Sequence, residues 1–133
     1  MPTHEIPHYE WARFFDEFTR RHQAWLVTVE MTGQSIGHQV QVRNLPLEGI
    51  VVEPNEIGED EITIIAGSRP EAHMSHTVRL PRRVFIKQND EAEDEAVEIE
   101  SFGGNVLVSF RATALPEMTE MLDALRVRRA NAQ

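Results

Sequence analysis

The sequence predicts an α+β fold: a mainly antiparallel β-sheet or small barrel, with an N-terminal aromatic amphipathic helix and a short C-terminal helix. Apolar residues recur with a period of 3.6 near the N-terminus, alternate with a period of 2 through the middle, and return to helical spacing after Pro116. The 133 residues suit one hydrophobic core, so we expect residues 1–133 to form a single domain.

The helix predicted over residues 7–22 is the clearest element. Trp11, Phe14, Phe15 and Phe18 occupy positions i, i+3, i+4 and i+7, and charged residues fall on the other faces. Pro7 suits the first turn, and the basic run Arg20–His22 complements the dipole at the C-terminal end. With Tyr9 and Trp25, this segment holds six of the nine aromatic residues, which we expect to be mainly core.

Short strands are predicted through the strand-rich region 25–112, because β-branched and aromatic residues alternate between turn signals. The predicted strands are 26–31, 39–43, 48–53, 61–66, 74–80, 84–88, 96–102 and 106–112. The connectors are short and polar, with a hairpin turn at 103–105 and an acidic loop at 89–95, which favours antiparallel neighbours.

The chain ends with a helix predicted over residues 116–126 and a frayed tail over 127–133. The strands of residues 26–88, taken with the preceding helix, have the outline of an Sm-like or SH3-like barrel, a likeness at the level of fold alone.

Composition restricts the classes of function. The chain has no cysteine, which excludes disulfides, thiol nucleophiles and cysteine-ligated metals and fits a cytoplasmic location. No apolar run approaches the ~18 residues that span a bilayer, and the N-terminus lacks the pattern of a signal peptide. The formal charge of −9 disfavours nucleic acid as a partner.

Two motifs resemble catalytic signatures but stand in the wrong context. His4–His8 reads as the zinc-protease pattern H-E-x-x-H, yet Pro7 starts the helix, so the two histidines do not share a helical face, and the segment is expected to be a mobile chain end. Gly33–Gly37 reads as the hydrolase pattern G-x-S-x-G, yet a strand rather than a helix follows it, which indicates a hairpin. We therefore expect neither activity.

The remaining candidate residues are histidines and arginines: His38, His73, His76, Arg79, Arg82 and Arg83. His73 and His76 point to opposite faces of a predicted strand and do not form a metal clamp; His76 is expected to be a hydrogen-bonded core residue. The three arginines and Lys87 form a basic cluster that we expect to pair mainly with carboxylates of the same chain. The acidic loop is expected to be a solvated face.

Several motifs together resemble a bacterial family of uncharacterised small domains. They are W-x-x-F at 11–14, WLVTVE at 25–30, LPLEG at 45–49, H-x-x-H at 73–76 and ALPEM at 114–118. The resemblance spans nearly the whole chain and implies one intact domain, with no catalytic residue or cofactor to transfer.

Three functions follow as hypotheses. The first is a non-catalytic binding module that binds a protein partner or a second copy, because no catalytic set, cofactor site or metal site is evident. The second is a small-ligand or metal-dependent enzyme that combines His38, His73 or His76 with Glu30 or Glu48. The third is an Sm-like nucleic-acid binder that uses the basic cluster.

Overall fold

The computed structural model describes residues 3–33, 37–67, 73–91 and 93–111. In these residues one helix and eight strands form, and all strands join one sheet. The elements are β1 (Thr3–Ile6), α1 (Trp11–His22), β2 (Leu26–Gly33), β3 (Gly37–Pro54), β4 (Asp60–Ala66), β5 (Met74–Val78), β6 (Pro81–Gln88), β7 (Asp94–Ser101) and β8 (Gly104–Arg111). The predicted helix at 116–126 lies outside the described residues.

The sheet is antiparallel throughout and has the strand order β1-β6-β7-β8-β2-β3-β4-β5. The predicted antiparallel α+β fold is therefore confirmed, and the alternative of a closed barrel is wrong, because β1 and β5 are edge strands in the described part of the chain. Two residues link β5 to β6, so Val78 and Pro81 lie at most about 11 Å apart. The sheet must therefore curl until its two edges approach each other without pairing.

Helix α1 covers β3 and ends at His22 as predicted, but it begins at Trp11 rather than at residue 7. A single 3-10 turn, His8–Glu10, precedes it, and the amide of Glu10 donates a hydrogen bond to the carbonyl of Pro7. Trp11, Phe15 and Phe18 are fully buried against the inner face of the sheet. The interpretation of the aromatic segment as core is thus right for these three, but Tyr9 in the 3-10 turn is exposed.

Two strand predictions need correction. The strands predicted at 39–43 and 48–53 form one continuous strand, β3, that pairs with β2 up to Pro46 and with β4 from Leu47 onward. A bulge between Leu47 and Gly49 turns the chain at this change of partner. The N-terminal segment, predicted to be a mobile end, forms β1 and pairs with β6 from Thr3↔Lys87 to Ile6↔Val84.

No helix in the described ranges has the length and apolar character needed to cross a lipid bilayer.

Candidate functional site

One end of the sheet gathers residues from four separate turns around His8. The His8 ring donates from Nε2 to Oδ2 of Asp60, 2.7 Å away, and lies against the indole of Trp11 with ring centroids 4.1 Å apart. Trp11 is itself fixed, because it is buried and its Nε1 donates to the carbonyl of Ile6 at 2.9 Å. The packed core thus holds His8 in place at the surface.

Large apolar side chains project beside this histidine. Tyr9 is 88% exposed, Phe102 is 78% exposed and Leu80 is 45% exposed. Leu80 and Phe102 border a hollow of about 370 Å³ that also includes His8 and Asp60, and Tyr9 borders a second hollow of about 660 Å³ that shares the same two residues. The two hollows therefore adjoin across the His8–Asp60 pair.

Leu80 has a backbone conformation that is costly for its side chain. Its φ of +52° lies in the left-handed region, which branched residues rarely adopt. The backbone amide of Phe102 donates a hydrogen bond to the carbonyl of Leu80 at 3.2 Å and so holds the backbones of the two residues together. Strain of this kind is common at functional positions, where the surrounding structure maintains it.

Two opposite charges flank the first hollow without meeting each other. Arg82 and Glu59 both line it, and both are exposed. Within the described ranges neither side chain has an ion pair or hydrogen bond. We call the whole set the end surface; it consists of His8, Tyr9, Glu59, Asp60, Leu80, Pro81, Arg82 and Phe102.

The predicted histidine and glutamate pairs come together, but in separate places. His73 Nε2 donates to Oε2 of Glu48 at 2.8 Å, and His38 Nε2 lies 3.7 Å from Oε2 of Glu30. Both histidines are exposed and lie outside the end surface. Among the described residues no group of three or more histidine, aspartate or glutamate side chains is arranged to hold a metal ion.

His76 differs from its expected role. It lies half-buried on β5 opposite Ile64, and its Nε2 has no hydrogen-bond partner among the residues that the structure describes. The expectation of a hydrogen-bonded core histidine is therefore not met for this nitrogen. Burial lowers the pKa of His76 below its ordinary value, since a charged ring would lose its hydration.

The basic cluster is divided by its ion pairs. Arg83 pairs with Glu100 at 3.4 Å, and Lys87 pairs with Glu98 at 3.2 Å. Arg79 and Arg82 have no such pair within the described part of the chain. Arg82 is thus the one predicted candidate that lines the end surface.

The first catalytic-looking motif lacks the helix that its signature requires, and for the second the structure describes only the two flanking glycines. His4 lies on β1 opposite Ile86, and His8 follows in the 3-10 turn, so no helix presents both rings on one face. Gly33 pairs with Gly37 across the β2–β3 hairpin, and residues 34–36 lie outside the described residues.

Sequence reasoning missed a buried polar group at the opposite end of α1. His22 is 5% exposed; its Nδ1 donates to the carbonyl of Phe18 at 2.9 Å, and its Nε2 lies 3.5 Å from Oδ2 of Asp94. Burial lowers the pKa of His22 and Arg21 adds to this, while the hydrogen bond to Phe18 and the charge of Asp94 oppose it. The helical period could have revealed the burial, because His22 lies four residues after Phe18 on the aromatic face.

Comparison with known proteins gives a family and one relative of interest. The model of a family of unknown function, DUF5335, matches residues 2–118. An uncharacterized protein from Aquifex aeolicus (strain VF5) is 29% identical over 90 residues, which cover 68% of this chain and 75% of the relative. No solved structure matches.

Proposed function

The chain belongs to the DUF5335 family, and we propose that it is a non-catalytic protein-interaction module that binds its partner through the end surface. The observation that carries the proposal is the grouping of Tyr9, Leu80 and Phe102, all exposed, around two adjoining hollows. Exposed apolar groups that cluster in this way are typical of interaction sites.

The shape of the surface favours a protein over a small molecule. The two aromatic rings project outward with most of their area in solvent, whereas the aromatic walls of a small-molecule site enclose their ligand. Tyrosine is also among the residues that contribute most to binding energy at protein interfaces. The His8–Asp60 pair supplies polar atoms beside the apolar centre, as the rim of an interface requires.

The other two hypotheses have less support from the geometry. An enzyme needs side chains that converge, and within the described residues the two His–Glu pairs occupy separate positions, each with an exposed histidine. A nucleic-acid site needs concentrated positive charge, and two of the four basic side chains of the cluster are already paired with glutamates.

The proposal is tested by affinity capture with variants that change the surface without unfolding the protein. Leu80→Gly removes an exposed side chain and relieves the positive φ, so we expect it to be at least as stable as the parent. Met74→Ser is the matched control, since Met74 is also 45% exposed but lies on β5, outside the end surface.

We expect the parent and Met74→Ser to bind the same protein with equal affinity, and Leu80→Gly and Phe102→Ser to bind it at least tenfold more weakly. The dissociation constants are measured by calorimetry with the purified partner, and thermal unfolding verifies that each variant is folded. Equal affinity for all four proteins would contradict the proposal, as would turnover of a small molecule that depends on His38, His73 or His76.

A further inference from the structure

We propose that the partner bound at the end surface is a second copy of this chain, so that the protein forms a two-fold symmetric dimer. This inference rests on the proposed function and adds the identity of the partner. Three features of the end surface support it: its charges are self-complementary, it carries both projecting rings and hollows, and it lies far from the acidic loop.

The charges match what a two-fold interface requires. In such an interface the same patch faces itself, so residue i of one copy meets residue j of the other, and j meets i. Arg82 and Glu59 border the same hollow, and within the described residues neither side chain has an ion pair or hydrogen bond in its own chain. Arg82 of each copy is therefore available to pair with Glu59 of the other, which gives two ion pairs across the apolar centre.

The apolar part of the surface is complementary in the same sense. Phe102 and Tyr9 project, and the hollow beside Phe102 measures about 370 Å³. A cavity of about 150 Å³ is enough to bind benzene, so this hollow has room for an aromatic ring from the facing copy. With a two-fold axis through the surface, one aromatic ring of each copy enters the hollow of the other copy.

The overall charge restricts where two copies can meet. Each chain carries −9, so association brings together two strongly negative molecules. Within the end surface Arg82 offsets one of the two carboxylates, Glu59 and Asp60, which leaves a local formal charge of −1 with His8 neutral, a small share of the −9 of the chain. The acidic turn between β6 and β7 lies at the far end of β6, about 23 Å away for an eight-residue strand. A dimer formed through the end surface keeps the acidic turns apart.

A charge-reversal experiment tests the dimer by sedimentation equilibrium. We expect the parent to sediment as a dimer, at twice the 15.2 kDa of one chain. Arg82→Glu and Glu59→Arg should each raise the dimer dissociation constant at least tenfold, because every Arg82–Glu59 pair becomes a pair of like charges. Glu56→Arg, which changes an exposed carboxylate of the same turn outside the hollow, is the matched control and should leave the dimer intact.

Mixing the two single variants gives the sharpest result. A copy with Arg82→Glu and a copy with Glu59→Arg place opposite charges at both contacts, so the equimolar mixture should form a mixed dimer with affinity near that of the parent. The double variant Arg82→Glu/Glu59→Arg should dimerise for the same reason. Thermal unfolding of each variant, all altered at exposed positions, verifies the fold.

Two outcomes would overturn the inference. One is a parent that stays monomeric at several hundred micromolar, and the other is a dimer that all the charge reversals leave unchanged, as pairing through the β1 or β5 edge would produce. Either result leaves the proposed function to its own test: if Leu80→Gly still weakens binding to another protein, the end surface binds a partner of a different kind.

Discussion

The substitution Phe18→Ala tests whether the aromatic face of α1 is the centre of the core. Phe18 is fully buried, and its ring meets Phe110 edge to face with centroids 4.8 Å apart. Removing a buried phenylalanine side chain costs about 3–5 kcal/mol of unfolding free energy, which includes the cavity that remains. Since a domain of this size has a total stability of about 5–15 kcal/mol, the variant should lose a large share of it.

Thermal and urea unfolding, followed by circular dichroism, measure this loss. We expect the melting temperature of Phe18→Ala to fall by roughly 10–20 °C at this chain length. Tyr9→Ala is the control, because it removes an aromatic ring nine residues earlier that is 88% exposed, and it should melt within about 2 °C of the parent. If Phe18→Ala melts like the parent, or if both variants lose the same stability, the assignment of these rings to core and surface is wrong.

Three further predictions concern stability. Burial lowers the pKa of His22 and of the half-buried His76, so near and below the ordinary value of 6.5 the unfolded chain binds more protons than the folded one. The free energy of unfolding should therefore fall as the pH drops from 7.5 to 5.5, and less steeply in His22→Gln. A flat urea-unfolding profile over this pH range would contradict the argument. Gly104→Ala should lower the free energy of unfolding, measured by thermal unfolding, by about 2–4 kcal/mol, because Gly104 has a φ of +146° and the added Cβ would meet a backbone oxygen of β2. Gly103→Ala places its Cβ in open space and should be near neutral. Equal effects of the two substitutions would refute the argument. Thr19→Val should lower the free energy of unfolding in urea by about 1–3 kcal/mol, since the hydroxyl of Thr19 accepts a hydrogen bond from the backbone of β3 at 3.0 Å. Thr77→Val is the control and should cost less, because the hydroxyl of Thr77 is exposed and bonds to another hydroxyl, that of Thr63.

Local patterns were sufficient to predict most of the fold. The 3.6-residue spacing of Trp11, Phe15 and Phe18 predicts the helix because a buried helical face needs that period, and the alternation in β2, β4, β7 and β8 predicts strands for the corresponding reason. β1 could not be predicted in this way. Its four mostly exposed residues have no marked pattern, and the strand forms through pairing with β6, some eighty residues later.

The end surface was hidden from sequence analysis for a related reason. Its members lie in or directly beside the turns before α1, between β3 and β4, between β5 and β6, and between β7 and β8, so in the sequence they stand in four separate short segments. Arg82 was recognised as one of several arginines, but nothing local distinguishes it from Arg83, which Glu100 neutralises. The curl of the sheet brings these turns together, and it depends on long-range pairing.

The aromatic segment at the N-terminus contributes to both stability and recognition. The position of each residue relative to α1 determines whether it packs in the core or lies on the surface. Trp11 lies on the inner face and is buried, whereas Tyr9 precedes the first turn of α1 and points to solvent. His8 lies against the buried indole of Trp11 and hydrogen-bonds to Asp60, so the position of the end surface depends directly on the packing of α1. A substitution at Trp11 should therefore lower both the free energy of unfolding and the binding affinity, whereas a substitution at Tyr9 should lower the binding affinity alone. If the Tyr9 variant binds as tightly as the parent, Tyr9 is an exposed ring without a role in binding.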